Sequence, residues 1–163
     1  MDEIEIFTDG ACRGNPGLGG WGALIRRNGE ESSLWGGERE TTNNRMEMEA
    51  AIRGLESIIE SSTITITTDS NYLKDGITQW LEGWKKKGWK TAAKKPVKNQ
   101  DLWMRLDELS QFHNVNWKWV KGHAGNALNE RCDALVHEAI DAGEFSEDSG
   151  YLAQQTQDPE LFG

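Results

Sequence analysis

The sequence has no long apolar run, only two cysteines and three prolines among 163 residues, and no lysine or arginine in its last twenty positions. Each shortage excludes something. A bilayer span needs about 20 apolar residues, and no stretch comes close. Asp2 and Glu3 stand where a secretory leader would be basic and then apolar. The expectation is a soluble cytoplasmic protein with no membrane contact. Cys12 and Cys132 are far apart and lack the close spacing of a metal knuckle, so both are expected as free thiols. With no internal repeat and this length, the chain is expected to build one domain.

What the chain does have is charge of both signs, sorted along its length. The formal net charge is -9, which is awkward for any ligand made of phosphates. Yet residues 84 to 98 hold seven lysines and no acid, and residues 144 to 163 hold five acids and no base. The sum therefore conceals a basic patch and an acidic tail. Trp80, Trp84, Trp89 and Trp103 bracket the lysines, and aromatic faces beside lysines suit a sugar-phosphate backbone as well as they suit core packing.

Hydrophobic spacing places the elements. Ile4 to Asp9 alternates with period two and reads as a strand. Trp21 to Ile25 and Ser33 to Gly36 flank Asn28-Gly29, a hairpin signature. From Asn43, the residues Met48, Ala51, Ile52, Leu55, Ile58 and Ile59 recur at helical spacing, with Glu47 on the edge of the stripe opposite to Glu49, Glu56 and Glu60. Thr63 to Asp69 is β-branched and alternating, and Ser70 can cap a helix from Asn71. Leu102, Leu106 and Leu109 mark a further helix, Val115 to Val120 a last strand, and Leu128 to Ala139 a terminal helix. The second half thus alternates strand and helix, which predicts parallel pairing there. The sum is one mixed α/β sheet, antiparallel first and parallel later.

Four carboxylates stand in separated contexts: Thr8-Asp9-Gly10, Met46-Glu47, Thr68-Asp69-Ser70 and Cys132-Asp133. Any one alone reads as a solvated surface group. Together they can hold two hard cations about 4 Å apart, the arrangement that activates a water and steadies the leaving oxygen in phosphodiester hydrolysis. The chain therefore reads as a nuclease. His123 lies between glycines in Gly122-His123-Ala124-Gly125, a setting for a mobile proton carrier, whereas His113 and His137 have no comparable one.

Asp9-Gly10, Gly14-Asn15-Pro16-Gly17, Thr42 to Glu47, Thr68-Asp69-Ser70, Trp84 to Thr91, Lys95 to Asn99 and Trp119 to Gly125 together resemble bacterial type 1 ribonuclease H in order and spacing. The resemblance covers roughly residues 4 to 142. It implies a five-stranded mixed sheet, antiparallel in strands 1-2-3 and parallel in 4 and 5, flanked by helices. The catalytic domain would span residues 1 to 142, with a basic protrusion near 81 to 99. Residues 143 to 163 would form an acidic flexible tail. The resemblance further implies cleavage of the RNA strand of RNA/DNA hybrids, leaving 5′-phosphate and 3′-hydroxyl ends, in removal of primers and hybrids during replication and repair.

On that resemblance, Asp9, Glu47, Asp69 and Asp133 would hold two Mg²⁺ or Mn²⁺ ions, with His123 shuttling protons. Asn15, Asn43, Asn44 and Asn71 would lie along the minor groove of the hybrid, where 2′-hydroxyls tell RNA from DNA, and Cys12 would also contact the nucleic acid. Asn71 departs from the glutamine usual in bacterial members. Thr42 and Asn99 would hold a DNA phosphate, although Glu40 stands where relatives often carry a base. Trp80 and Trp103 would meet the hybrid, and Lys85, Lys86 and Lys87 its phosphates, while Trp84 and Trp89 pack the protrusion. A monomer is expected.

Two rivals remain open. Integrases and junction resolvases share this fold, and a hybrid-binding module would need the basic patch but no metal ligands. The end of the chain, Gln157-Asp158-Pro159-Glu160-Leu161-Phe162-Gly163, is similar to peptides by which bacterial replication proteins dock on the sliding clamp, with the glutamine one residue too far from Leu-Phe.

Overall fold

In the computed structural model, residues 3–121 and 127–157 are described. Strand β1 (Ile4–Gly14) is the axis of the sheet. It pairs antiparallel with β2 (Gly17–Arg27), which pairs antiparallel with β3 (Glu30–Thr41). Asn28 and Gly29 both adopt positive φ, 53° and 85°, the geometry that matches a two-residue turn to the twist of its strands.

Strands β4 (Thr63–Thr68) and β5 (Asn114–Trp119) add in parallel on the other side of β1. Among the described residues the sheet order is β5-β4-β1-β2-β3-β6, six strands where five were expected. The sixth is Phe145–Ser146, two residues paired parallel to Gly37 and Glu38 at the open edge of β3.

Helices cover both faces. On one, α1 (Asn43–Glu56) lays Met48, Ala51, Ile52 and Leu55 on Ile6, Ala23 and Ile66, so closely that a Cβ on Gly54 would lie 2.9 Å from Ile6. Residues 71 to 86 form α2 (Asn71–Asp75), a π-helical turn (Gly76–Trp80) and α3 (Leu81–Lys86). Helix α4 (Gln100–Phe112) packs its Leu102, Leu106 and Leu109 into the same core. On the opposite face, α5 (Ala127–Asp141) sits against Gly20 and Gly22, where the missing side chains let it approach. No helix of the described residues is long and apolar enough to cross a membrane.

The basic protrusion closes on itself. Trp89 donates its backbone N–H to Trp84 and accepts one from Val97, and both indoles pack against the core.

The tail departs from expectation as far as it is described. Residues 145 to 157 supply β6 and α6 (Ser149–Gln157), with Tyr151 fully buried. Acidic composition argued for a flexible end, but the acid at 148 is neutralised by Arg45, far away in sequence. Arg45 is 1% exposed; its guanidinium donates to Asp148 at 2.8 and 2.9 Å and to Asp101 at 2.9 and 2.7 Å. The Leu161-Phe162 pair lies outside the described residues.

Candidate active site

Three strand and helix ends converge. Asp9 stands on β1 beyond its pairing with β4, Asp69 directly after β4, and Glu47 in the second turn of α1. Ser70 ends the strand and starts α2 by accepting the Leu73 N–H at 3.2 Å. Thr42 does the same for α1, accepting from the Arg45 N–H at 3.2 Å.

These caps aim the carboxylates at one another: Asp9, Glu47 and Asp69 each offer an oxygen within 4.8 Å of the others. Asp9 and Glu47 are buried, at 4% and 6% exposure, and Asp69 is half-buried. Burial, then the charges of Asp9 and Asp69, push the Glu47 carboxyl well above its usual range. The Gly10 N–H donates to Glu47 Oε1 at 3.3 Å, but Oε2 has no hydrogen-bond partner among the described residues. Buried like charges and an unpartnered carboxylate oxygen are what a hard divalent cation would relieve, so the donor set fits one.

Gly10 fixes the spacing. A Cβ there would stand 2.3 Å from the Met46 carbonyl carbon and 2.4 Å from the Glu47 nitrogen, both backbone. Gly10→Ala must therefore push α1 off β1 and part Asp9 from Glu47. The expected outcome is a stability loss of about 1–3 kcal/mol, read by thermal melting. A variant with wild-type melting temperature would show that the two elements part without cost.

Asp133 stands apart from the three. It is half-buried on α5, with Oδ2 at 3.5 Å from His137 Nε2. Its neighbour Cys132 anchors that turn to β1, donating to the Phe7 carbonyl at 3.1 Å, and burial pushes the Cys132 thiol up to about 12. The two cysteines are free thiols. His123 lies outside the described residues.

Of the residues expected to meet the hybrid, Asn15, Asn43 and Asn71 are exposed and Asn44 is half-buried. Asn15 Oδ1 accepts from the Asn43 N–H at 3.1 Å, tying the first turn to the start of α1. Cys12 is half-buried and donates to the Thr41 carbonyl at 3.3 Å. Trp80 is 37% exposed and meets the Tyr72 ring edge at 5.9 Å.

Three of these residues make contacts within the protein. Trp103 is fully buried: it lies on Gly76, where a Cβ would fall 2.0 Å from the indole, and its Nε1 donates to Tyr72 Oη. Asn99 is 1% exposed, and its amide serves the interior, accepting from Arg45 at 3.2 Å and donating to Tyr72 Oη at 3.0 Å. Lys85 is held by Asp107 at 3.1 Å, whereas Lys86 and Lys87 are exposed.

Arg45, not among the expected site residues, is a structural anchor for Asp101 and Asp148. Its signal was there: positions 45, 48, 52 and 55 share one face of α1, so an arginine occupies a slot in the apolar stripe.

Residues 1–141 match the family model described as RNase H. The ribonuclease H of Halorhodospira halophila is 62% identical over 138 residues, 85% of this chain and 93% of its own length. That of Hydrogenovibrio crunogenus is 61% identical over 141 residues, 86% of this chain and 97% of its own. Among solved structures, LC9-RNase H1, a type 1 RNase H with the type 2 active-site motif, superposes with TM-score 0.76 at 30% identity, covering 98% of this chain and 83% of that one. LC11-RNase H1, solved in complex with RNA/DNA hybrid, superposes with TM-score 0.65 at 26% identity, covering 86% and 99%.

Proposed function

This chain belongs to the ribonuclease H family, and we propose that it is a Mg²⁺-dependent endonuclease that hydrolyses the RNA strand of RNA/DNA hybrids. The observation that carries the reading is the convergence of Asp9, Glu47 and Asp69 within 4.8 Å, with Glu47 Oε2 unpartnered. Asp9, Glu47 and Asp69, with Asp133 at the rim, would hold two Mg²⁺ or Mn²⁺ ions. When bound, such ions supply an activated water and neutralise charge gathering on the phosphate.

The chain's own residues do the rest. The clustered carboxylates would hold negative charge where the cations sit. Asn15 on the turn after β1, Asn43 and Asn44 in the first turn of α1 and Asn71 at the start of α2 would donate to 2′-hydroxyls and base edges in the minor groove. Cys12 would contact the nucleic acid, and Thr42 would hold a DNA-strand phosphate. His123, which the sequence sets between glycines, would take or return the proton. We assign the 5′-phosphate and 3′-hydroxyl ends, a cytoplasmic monomer and the clearing of primers and hybrids to the same reading. It is tested by incubating the protein with labelled hybrid, duplex RNA and duplex DNA, with and without Mg²⁺. Cleavage confined to the RNA of the hybrid and abolished by chelator is expected; cutting of duplex DNA or a four-way junction would favour a resolvase.

The lysine cluster supplies the salt-dependent part of binding. Because Lys85 is tied to Asp107, the weight falls on Lys86 and Lys87, both exposed on the solvent side of α3 and its end. Lys86→Gln with Lys87→Gln is expected to lower the slope of log affinity against log salt by about two units. Lys85→Gln alone should leave the slope within about half a unit of wild type. A double variant with an unchanged slope would mean that these lysines only solvate the surface.

A further inference from the structure

Outside the catalytic carboxylates, one acid is as deeply buried and as poorly matched. Glu38 on β3 is 7% exposed, and its Oε2 has no hydrogen-bond partner among the described residues. It lines an open cavity of about 490 Å³ whose walls include Trp21, Trp35, Arg53 and Phe145. Gly36 and Gly37 bring those rings to the wall: a Cβ on either would lie 2.8 Å from Trp21 Nε1 or Phe145 Cδ1 respectively. Burial, then the charges of Asp148 and Glu49, push the Glu38 carboxyl up to about 7 against the opposing pull of Arg53 and Arg45.

The charges around this cavity are unequally matched. Arg53 donates to Glu49 at 2.6 Å, and Arg45 is held by Asp101 and Asp148, so each nearby guanidinium already has its carboxylate. Glu38 Oε2 has no donor, and Glu144 adds a further acid to the rim. An anion would be repelled. A hard divalent ion needs several oxygens, and among the described residues the acidic group that offers them is Asp9, Glu47 and Asp69. A positively charged N–H donor suits both the uncompensated Glu38 carboxylate and the aromatic walls. The wall already accepts such a group, since the Arg53 guanidinium stands 5.7 Å over the Trp21 ring. Trp35, 42% exposed, offers a second, unoccupied indole.

We propose that this cavity binds a small alkylammonium cation, its N–H groups donating to the Glu38 carboxylate on the cavity wall and its methylenes lying against Trp35 and Phe145. The site lies between β3, β6 and the last turn of α1, none of the catalytic carboxylates lines it, and it is independent of the nuclease reading.

The test is a nuclear magnetic resonance titration of the full chain with 1,4-diaminobutane, following the indole N–H signals of Trp21 and Trp35, with 1,4-butanediol as the uncharged match. Saturable shifts with the diamine and none with the diol are expected. Glu38→Gln should weaken binding at least about tenfold and Trp35→Ala several-fold, both with hybrid cleavage unchanged. Asp9→Asn should leave diamine binding as in wild type. Shifts that fail to saturate, equal affinity in Glu38→Gln, or loss of binding in Asp9→Asn in place of Glu38→Gln would overturn the proposal, the last by placing the amine on the catalytic carboxylates.

Discussion

Asp9→Asn is expected to lower the rate of hybrid cleavage by about a thousandfold or more, while hybrid affinity stays within about threefold of wild type. The substitution keeps the shape of the side chain and removes one charge of three that lie within 4.8 Å of one another. Cation binding loses a ligand, and binding of the nucleic acid through lysines and asparagines does not. A second readout separates this account from a general loss of structure. Asp9 is one of the charges that raise the Glu47 carboxyl above its ordinary range. An acid whose folded pKa is raised destabilises the fold increasingly as pH rises through its unfolded value, because the folded state must then hold an unwelcome charge. Without divalent ions, Asp9→Asn should therefore melt higher than wild type at pH 8, and the gain should shrink toward pH 4. A variant that keeps more than about a tenth of wild-type activity, or that melts lower at pH 8, would remove the carboxylate triad from the mechanism.

The elements that were legible in the sequence are those whose cause is local. Thr63–Thr68 is a strand because β-branched residues alternate, and the Asn28-Gly29 turn forms because both residues tolerate positive φ. Glu47 could be singled out because it falls on the edge of the apolar stripe away from Glu49 and Glu56, and it is buried against Gly10. Ile59 shows the limit of the same reasoning. It continues the helical pattern on paper, yet α1 ends at Glu56 and Ile59 is 84% exposed.

What was not legible depends on contacts distant in sequence. Trp103 reads equally well as a surface aromatic until Gly76 is seen to leave room for its ring. Asn99 looks like a polar loop residue. It adopts a left-handed φ of 60°, and its N–H is met by Gln154 from the tail, which no local pattern announces. Asp133 belongs with the other carboxylates by resemblance; the turn of α5 that carries it is set by Cys132 against Phe7.

The tail is the largest of these differences, and its anchor carries the second large effect. Arg45→Leu is expected to cost about 3–5 kcal/mol of stability, a fall in melting temperature of about 10 °C for a chain of this size. Leucine fills the apolar slot on α1 but leaves Asp148 and Asp101 without a partner, and Asn99 Oδ1 loses a donor. Burial alone would pull the Arg45 pKa down; the hydrogen bonds and charges of Asp101 and Asp148 outweigh it and hold the guanidinium above its ordinary range. For Asp148, burial acts upward, and the bonds from Arg45, Thr41 and the Tyr151 N–H outweigh it, so its pKa is lowered from 3.8. An acid with a lowered folded pKa contributes stability that is present above its unfolded value and lost as pH falls through the folded one. The deficit of Arg45→Leu should thus be full at pH 7 and shrink below about pH 4, where Asp148 becomes protonated in the variant at no cost. Removing both charges should restore much of the loss, so Arg45→Leu with Asp148→Leu is expected to melt above Arg45→Leu alone. A single variant that melts as wild type at pH 7, or a deficit that does not change with pH, would show that α6 is held by Tyr151 and its apolar neighbours without the ion pair.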